Sequence, residues 1–131
     1  MKIQDGLISA KCKVVKIEPS KIRKVVLTTM ECGGLKVTMD LVKELLIFSE
    51  GDKIEFLLSR DRPEFEEGKD LVIWGYVMTK KRKPIDKGKE GGFLNKLLVS
   101  LWGYLLVLES TKEILDSFSV MDKVYLKISK K

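Results

Sequence analysis

Histidine is missing from the 131 residues. That removes the side chain most used for acid–base work near neutral pH, every triad built on imidazole, and the commonest metal ligand. Cysteine occurs twice, at Cys12 and Cys32, with a spacing that matches no zinc or redox motif. The two thiols read as reduced and buried in a cytosolic protein; a disulfide between them stays open as the alternative. Side-chain amides are nearly absent. Gln4 and Asn95 stand alone among many Lys and Glu, the bias of a thermophile chain. Long hydrophobic runs are also missing. The longest, Leu97–Leu108, is interrupted by Ser100 and Gly103 and falls far short of the roughly 20 residues of a membrane helix. The opening "MKIQDGLISAKCKVV" scatters lysine among its apolar residues, unlike a secretory signal. A cytoplasmic protein without membrane contact is expected.

What is plentiful is charge, at 34% of residues with a net +6. That balance suits nucleic acid or an acidic partner without requiring either. The length suits one domain, 1–131, with a core of its own.

Period-two segments recur along the chain. In "SAKCKVVKIEP", Lys11 and Lys13 oppose Cys12 and Val14, and the phase slips over Val15–Lys16–Ile17 as at a β-bulge. "KIRKVVLTTM" ends at Gly33-Gly34, and "LKVTMDLV" follows. "KELLIFSE" reads as a loop or one helical turn. "GDKIEFLLS" places Ile54, Phe56 and Leu58 on one face, "RDRPEFEEGKD" is a polar loop, and "DKVYLKISKK" aligns Val124, Leu126 and Ile128. "STKEILDSFSVMD" has room for a short helix capped by Thr111. This pattern predicts an all-β fold: an antiparallel barrel or sandwich of about seven or eight strands with at most short helical turns.

No catalytic, metal or cofactor motif appears. Glu64, Glu66 and Glu67 beside Lys69 read as a solvated loop, and Gly91-Gly92 lies between strands instead of opening a helix as a phosphate loop does. No catalytic residue, metal or cofactor is assigned. Lys80, Lys81, Arg82 and Lys83 form the strongest basic cluster, placed at the exposed end of a hairpin. They are candidates for contact with nucleic acid or an acidic surface, against the reading of a solvated tip.

The tripeptide "WGY" occurs twice, at Trp74–Tyr76 and Trp102–Tyr104, in the two most apolar segments. Read as strands, Leu71–Met78 and Leu97–Leu108 have no polar face, so something covers their outer side: the chain's own loops or a partner. Setting Gly75 opposite Gly103 puts the hairpin turn near residue 89. It pairs Trp74 with Tyr104 and Tyr76 with Trp102 on one outward face, with Ile73, Val77, Leu101 and Leu105 inward. Trp74, Tyr76, Trp102 and Tyr104 are therefore the candidate partner interface.

These segments resemble the small subunit-eight family of archaeal and eukaryotic RNA polymerases, called RpoG in archaea. The family's strand D-Y-V-M-Y-G-K-V-Y is matched in "DLVIWGYVMT" at Asp70, Val72, Gly75 and Val77. Its V-S-F-G-G-L-L-M-x-L is matched in "VSLWGYLLVL" at Val99, Ser100, Gly103, Leu105 and Leu108, with Trp102 replacing a glycine and Tyr104 a leucine. The closing strand V-Y-L-L-I-K-K resembles "DKVYLKISKK". "VTMDLVKELLIFSEGDKIEFLLS" resembles the family's L-D-V-N-x-x-x-Y-P-L-x-x-G-D-K-x-x-x-x-L-A. The resemblance implies an OB-like antiparallel barrel and a non-catalytic structural subunit of archaeal DNA-directed RNA polymerase. It implies docking on the largest subunit, DNA and RNA met only through the complex, and polymerase metal ions held by other chains. The competing reading is a free-standing OB-fold protein for single-stranded nucleic acid, which needs aromatics interspersed with cations; here the aromatics lie in nearly charge-free strands.

Overall fold

A computed structural model describes residues 1–85 and 92–130. They form nine strands: β1 (Lys2–Gln4), β2 (Leu7–Pro19), β3 (Val25–Glu31), β4 (Leu35–Val42), β5 (Lys53–Ser59), β6 (Asp70–Pro84), β7 (Phe93–Leu101), β8 (Tyr104–Ser110) and β9 (Lys123–Lys130). All pairings are antiparallel. Eight strands follow one another in the order β2-β3-β4-β8-β7-β6-β9-β5, and β5 returns to β2, closing an antiparallel barrel. β1 lies outside this ring as a flap on β2. The helical content among the described residues is two 3-10 turns, Lys43–Leu45 and Leu115–Ser117.

Closure depends on β2. Leu7–Lys13 pairs with β5, while Lys13–Pro19 pairs with β3. The change of partner is accompanied by the expected bulge, a register shift between Val14 and Lys16. Beyond β5, the segment 49–52 seals β2: Val14 N–H donates to Asp52 O, Gly51 N–H to Val14 O, and Ile17 N–H to the Glu50 carboxylate.

The interior follows the period of two. Ile8, Ala10, Cys12 and Val14 of β2, Ile54, Phe56 and Leu58 of β5, Ile73 and Val77 of β6, and Val124, Leu126 and Ile128 of β9 are all buried. Phe118, next to the second 3-10 turn, joins the same core. That turn takes no side-chain cap from Thr111; instead Lys112 N–H donates to Ser110 Oγ and Leu115 N–H to Glu113 Oε1.

Three expectations need correction. First, Leu97–Leu108 is two strands, with Trp102 and Gly103 as a two-residue hairpin turn between β7 and β8. Both turn residues have positive φ, 53° and 86°, as such turns require. Leu101 then faces Tyr104 as a cross-strand partner, so the buried parity inverts. Leu97, Val99 and Leu101 are inside before the turn, Leu106 and Leu108 after it, and Leu105 is outside.

Second, Gly75 meets Leu101 and not Gly103, and a bulge between Val77 and Thr79 shifts the rest of the β6–β7 register. The turn expected near residue 89 lies outside the described residues. Third, the cysteines form a disulfide. The β2–β3 register, in which Lys13 faces Glu31, continues to put Cys12 opposite Cys32 with Cα atoms 4.1 Å apart. Cross-linking this separation of 20 residues contributes about 3 kcal/mol in the chain-entropy account.

The close approach expected at a glycine is real at Gly75. A Cβ there would lie 1.8 Å from the Ser100 carbonyl oxygen and 2.8 Å from Leu101 Cα. Both are backbone atoms of the paired strand and cannot swing away. Gly75→Ala is therefore expected to destabilise by about 3 kcal/mol or more, at the upper end of overpacking costs. Urea unfolding of the variant measures this; a loss under about 1 kcal/mol would mean that β6 and β7 separate freely at this point.

Candidate interface on the outer face

The outer side of the barrel carries two contrasting surfaces. One is a charged row across seven strands in direct cross-strand register: Lys81, Lys96, Glu109, Lys36, Glu31, Lys13 and Lys53. Opposite charges face each other along its middle, and Lys96 Nζ lies 3.5 Å from the Glu109 carboxylate. Pairs of this kind contribute roughly 0.2–1 kcal/mol each and keep the surface hydrated.

The second surface is apolar. On β6, Trp74, Tyr76 and Met78 all point outward and are exposed. The Trp74 and Tyr76 rings meet edge to face, with centroids 6.1 Å apart. Across the β6–β9 ladder Trp74 faces Tyr125 and Tyr76 faces Lys123. Lys123 Nζ lies 4.7 Å from the Trp74 ring centroid and 5.5 Å from that of Tyr125. On the other side the row continues from Tyr76 to Ser100 and Leu105. The 60–69 loop brings Phe65 and Arg62 beside Trp74 and Tyr125, yet Trp74 and Tyr76 remain 41% and 42% exposed.

Of the four aromatics singled out in the sequence, the fold brings two together. Trp102 sits in the β7–β8 turn, 54% exposed, and Tyr104 lies opposite buried Leu101, half-buried on the side that faces inward. The expected pairs Trp74–Tyr104 and Tyr76–Trp102 do not form. Tyr125, Lys123 and Phe65 were missed. Tyr125 and Lys123 share the face of β9 opposite Val124, Leu126 and Ile128, so their side was legible; their position beside Trp74 was not.

Lys80, Lys81, Arg82 and Lys83 lie in the last part of β6, paired with β7 from Leu97 to Leu94, toward the end of a hairpin whose turn lies outside the described residues. Arg82 is tied down: its guanidinium pairs with the Glu113 carboxylate, donates to Asn95 Oδ1 at 2.9 Å, and stacks over Phe93. Lys80 is half-buried, leaving Lys81 and Lys83 as the exposed lysines of the four.

Two grooves flank these surfaces. The more voluminous, about 720 Å³, crosses the outer faces of β2, β5 and β9 with Lys2, Lys11, Glu55 and Lys127 on its rim. The other, about 520 Å³, runs along Val72, Trp74 and Tyr125 under Phe65 and Arg62 of the 60–69 loop. Size favours the first, but the second has the aromatic floor that anchors partners. Asp70 lies at one end of this second groove. It accepts the Glu66 N–H at 2.8 Å, which holds its carboxyl below the usual range, with Lys127 at 3.9 Å assisting. Among the described residues no group of three or more Cys, Asp or Glu is gathered as a metal site, and no helix is long and apolar enough to cross a membrane.

Fold and surface together define a small closed antiparallel β-barrel bearing an aromatic strip on its outside. The chain belongs to the RpbG family of DNA-directed RNA polymerase subunits, whose profile matches residues 7–131. It is 30% identical to DNA-directed RNA polymerase subunit Rpo8 of Sulfolobus acidocaldarius, over 95% of this chain and 99% of the relative. It is 27% identical to the subunit of that name from Saccharolobus solfataricus, covering 91% and 89%, and 25% identical to that from Saccharolobus shibatae, covering 98% and 96%. The chain is thus a subunit of DNA-directed RNA polymerase.

Trp102 offers a test of the outer face that is separable from folding. A bulky residue with φ of 53° is strained, and its indole is largely in solvent. Trp102→Asn installs the Asn-Gly pair that two-residue hairpins prefer. The free chain is expected to hold or gain stability, by about 1 kcal/mol, in urea unfolding. A loss above about 2 kcal/mol would place the indole in the core.

Proposed function

We propose that this chain is a structural subunit that takes no part in nucleotidyl transfer and docks on the largest polymerase subunit through its aromatic outer strip. The supporting observation is the contiguous group of Trp74, Tyr76, Lys123 and Tyr125 on the outer face of the barrel. Exposed aromatics in a contiguous strip are the usual anchors of a protein interface. In this reading the assembly works in the cytoplasm, and Lys81 and Lys83 meet DNA or RNA only by way of the complex.

One observation favours a second reading, a barrel that binds single-stranded nucleic acid. The aromatics are not isolated from charge: Lys123 lies over Trp74 and Tyr125, and Arg62 lies 5.9 Å from the Phe65 ring. Stacking surfaces for single strands interleave rings and cations in this way.

Retention of the largest subunit by the tagged chain separates the two. The wild-type chain is expected to retain it after nuclease treatment. Trp74→Ala is expected to weaken retention by about 30-fold, the equivalent of 2 kcal/mol, with the melting temperature of the free chain unchanged. Retention that vanishes with nuclease, or that is the same for Trp74→Ala, contradicts docking through this strip.

A further inference from the structure

The 520 Å³ groove is lined by both cations and acids. Trp74, Tyr125, Val72 and Phe65 supply apolar walls. Lys123 and Arg62, which also line it, have aromatic ring faces as their contacts and no carboxylate partner among the described residues. Asp70 and Glu67 line it as well, and Asp70 sits at the opposite end of the β6–β9 ladder from the Tyr76–Lys123 pair. At about 3.3 Å per residue, the six residue steps from Asp70 to Tyr76 span roughly 20 Å, the reach of about six extended residues.

Resting on the docking reading above, we propose that this groove receives an extended polypeptide segment of a neighbouring polymerase subunit. The segment lays an apolar or aromatic side chain on Trp74 and Tyr125 and brings an adjacent carboxylate to Lys123 and Arg62. Two cations seated on rings are desolvated on one side, so a carboxylate reaching them meets partners that no internal acid competes for. The other end of the groove decides between occupants. A nucleic-acid strand carries a negative charge at every residue and would set phosphates against Asp70 and Glu67. A peptide places its charges singly, so its acidic residue meets Lys123 while a neutral or basic residue passes Asp70. The carboxylate of Asp70 accepts the Glu66 N–H and stays ionised, its charge offset in part by Lys127 at 3.9 Å, so the repulsion at this end comes from Glu67 together with the remaining charge of Asp70.

The test uses assembled polymerase containing the chain with the photo-crosslinker p-benzoyl-phenylalanine in place of Phe65. The expected product joins this position to a polypeptide stretch in which Asp or Glu neighbours an apolar residue. In parallel, Lys123→Glu is expected to speed loss of the chain from the assembly by about tenfold or more, and Lys123→Arg to retain it, with the melting temperature of each free variant as the folding control. Crosslinks to nucleic acid, crosslinks to a stretch without a carboxylate, no crosslink from a chain that has assembled, or a Lys123→Glu chain retained like wild type would each overturn the proposal. Failure of the wild-type chain to assemble would instead bring down the docking reading on which it rests.

Discussion

Everything in this structure follows from β2 serving two neighbours. Its first half holds β5 and its second half holds β3, and the bulge after Val14 lets one strand turn the corner between them. With that corner made, the sheet closes and leaves few edges to pair with another chain. Closure also sorts the side chains: alternate residues of each strand fill the interior. Phe56, Phe118, Ile54, Leu58 and Leu106 are wholly buried.

On the outside the strands divide the work. The charged row from Lys81 to Lys53 alternates signs through its middle and suits water. About five residues back along β6, roughly 16 Å, Tyr76 faces Lys123 on one side and Ser100 on the other. Under the docking proposal, membership of a polymerase subunit family gives the apolar strip a physical reason: it is the surface that the assembly would cover.

Much of this was legible in the residues. Ile54, Phe56 and Leu58, and Val124, Leu126 and Ile128, declare their faces by alternation, and the slip at Val15–Lys16–Ile17 marks the bulge. The turn at Trp102-Gly103 was not legible, because a tryptophan with positive φ is the opposite of ordinary turn chemistry and the apolar run continues through it. One missed turn inverted the faces of β8 and sent Tyr104 inward. Pairing partners are tertiary facts as well. The Tyr125 and Lys123 neighbours of Trp74, and the opposition of Cys12 and Cys32, depend on registers between strands that local sequence does not encode.

The central claim is that the strip of Trp74 and Tyr76 is open in the free chain and covered in the polymerase. Hydroxyl-radical footprinting measures this directly, with the oxidation of each side chain followed in the free chain and in the assembly. Trp74 and Tyr76 are expected to oxidise readily when free and to be strongly protected when assembled, while Met1, next to the flap strand, serves as the exposed internal reference. Equal oxidation of Trp74 in the two states would contradict the account.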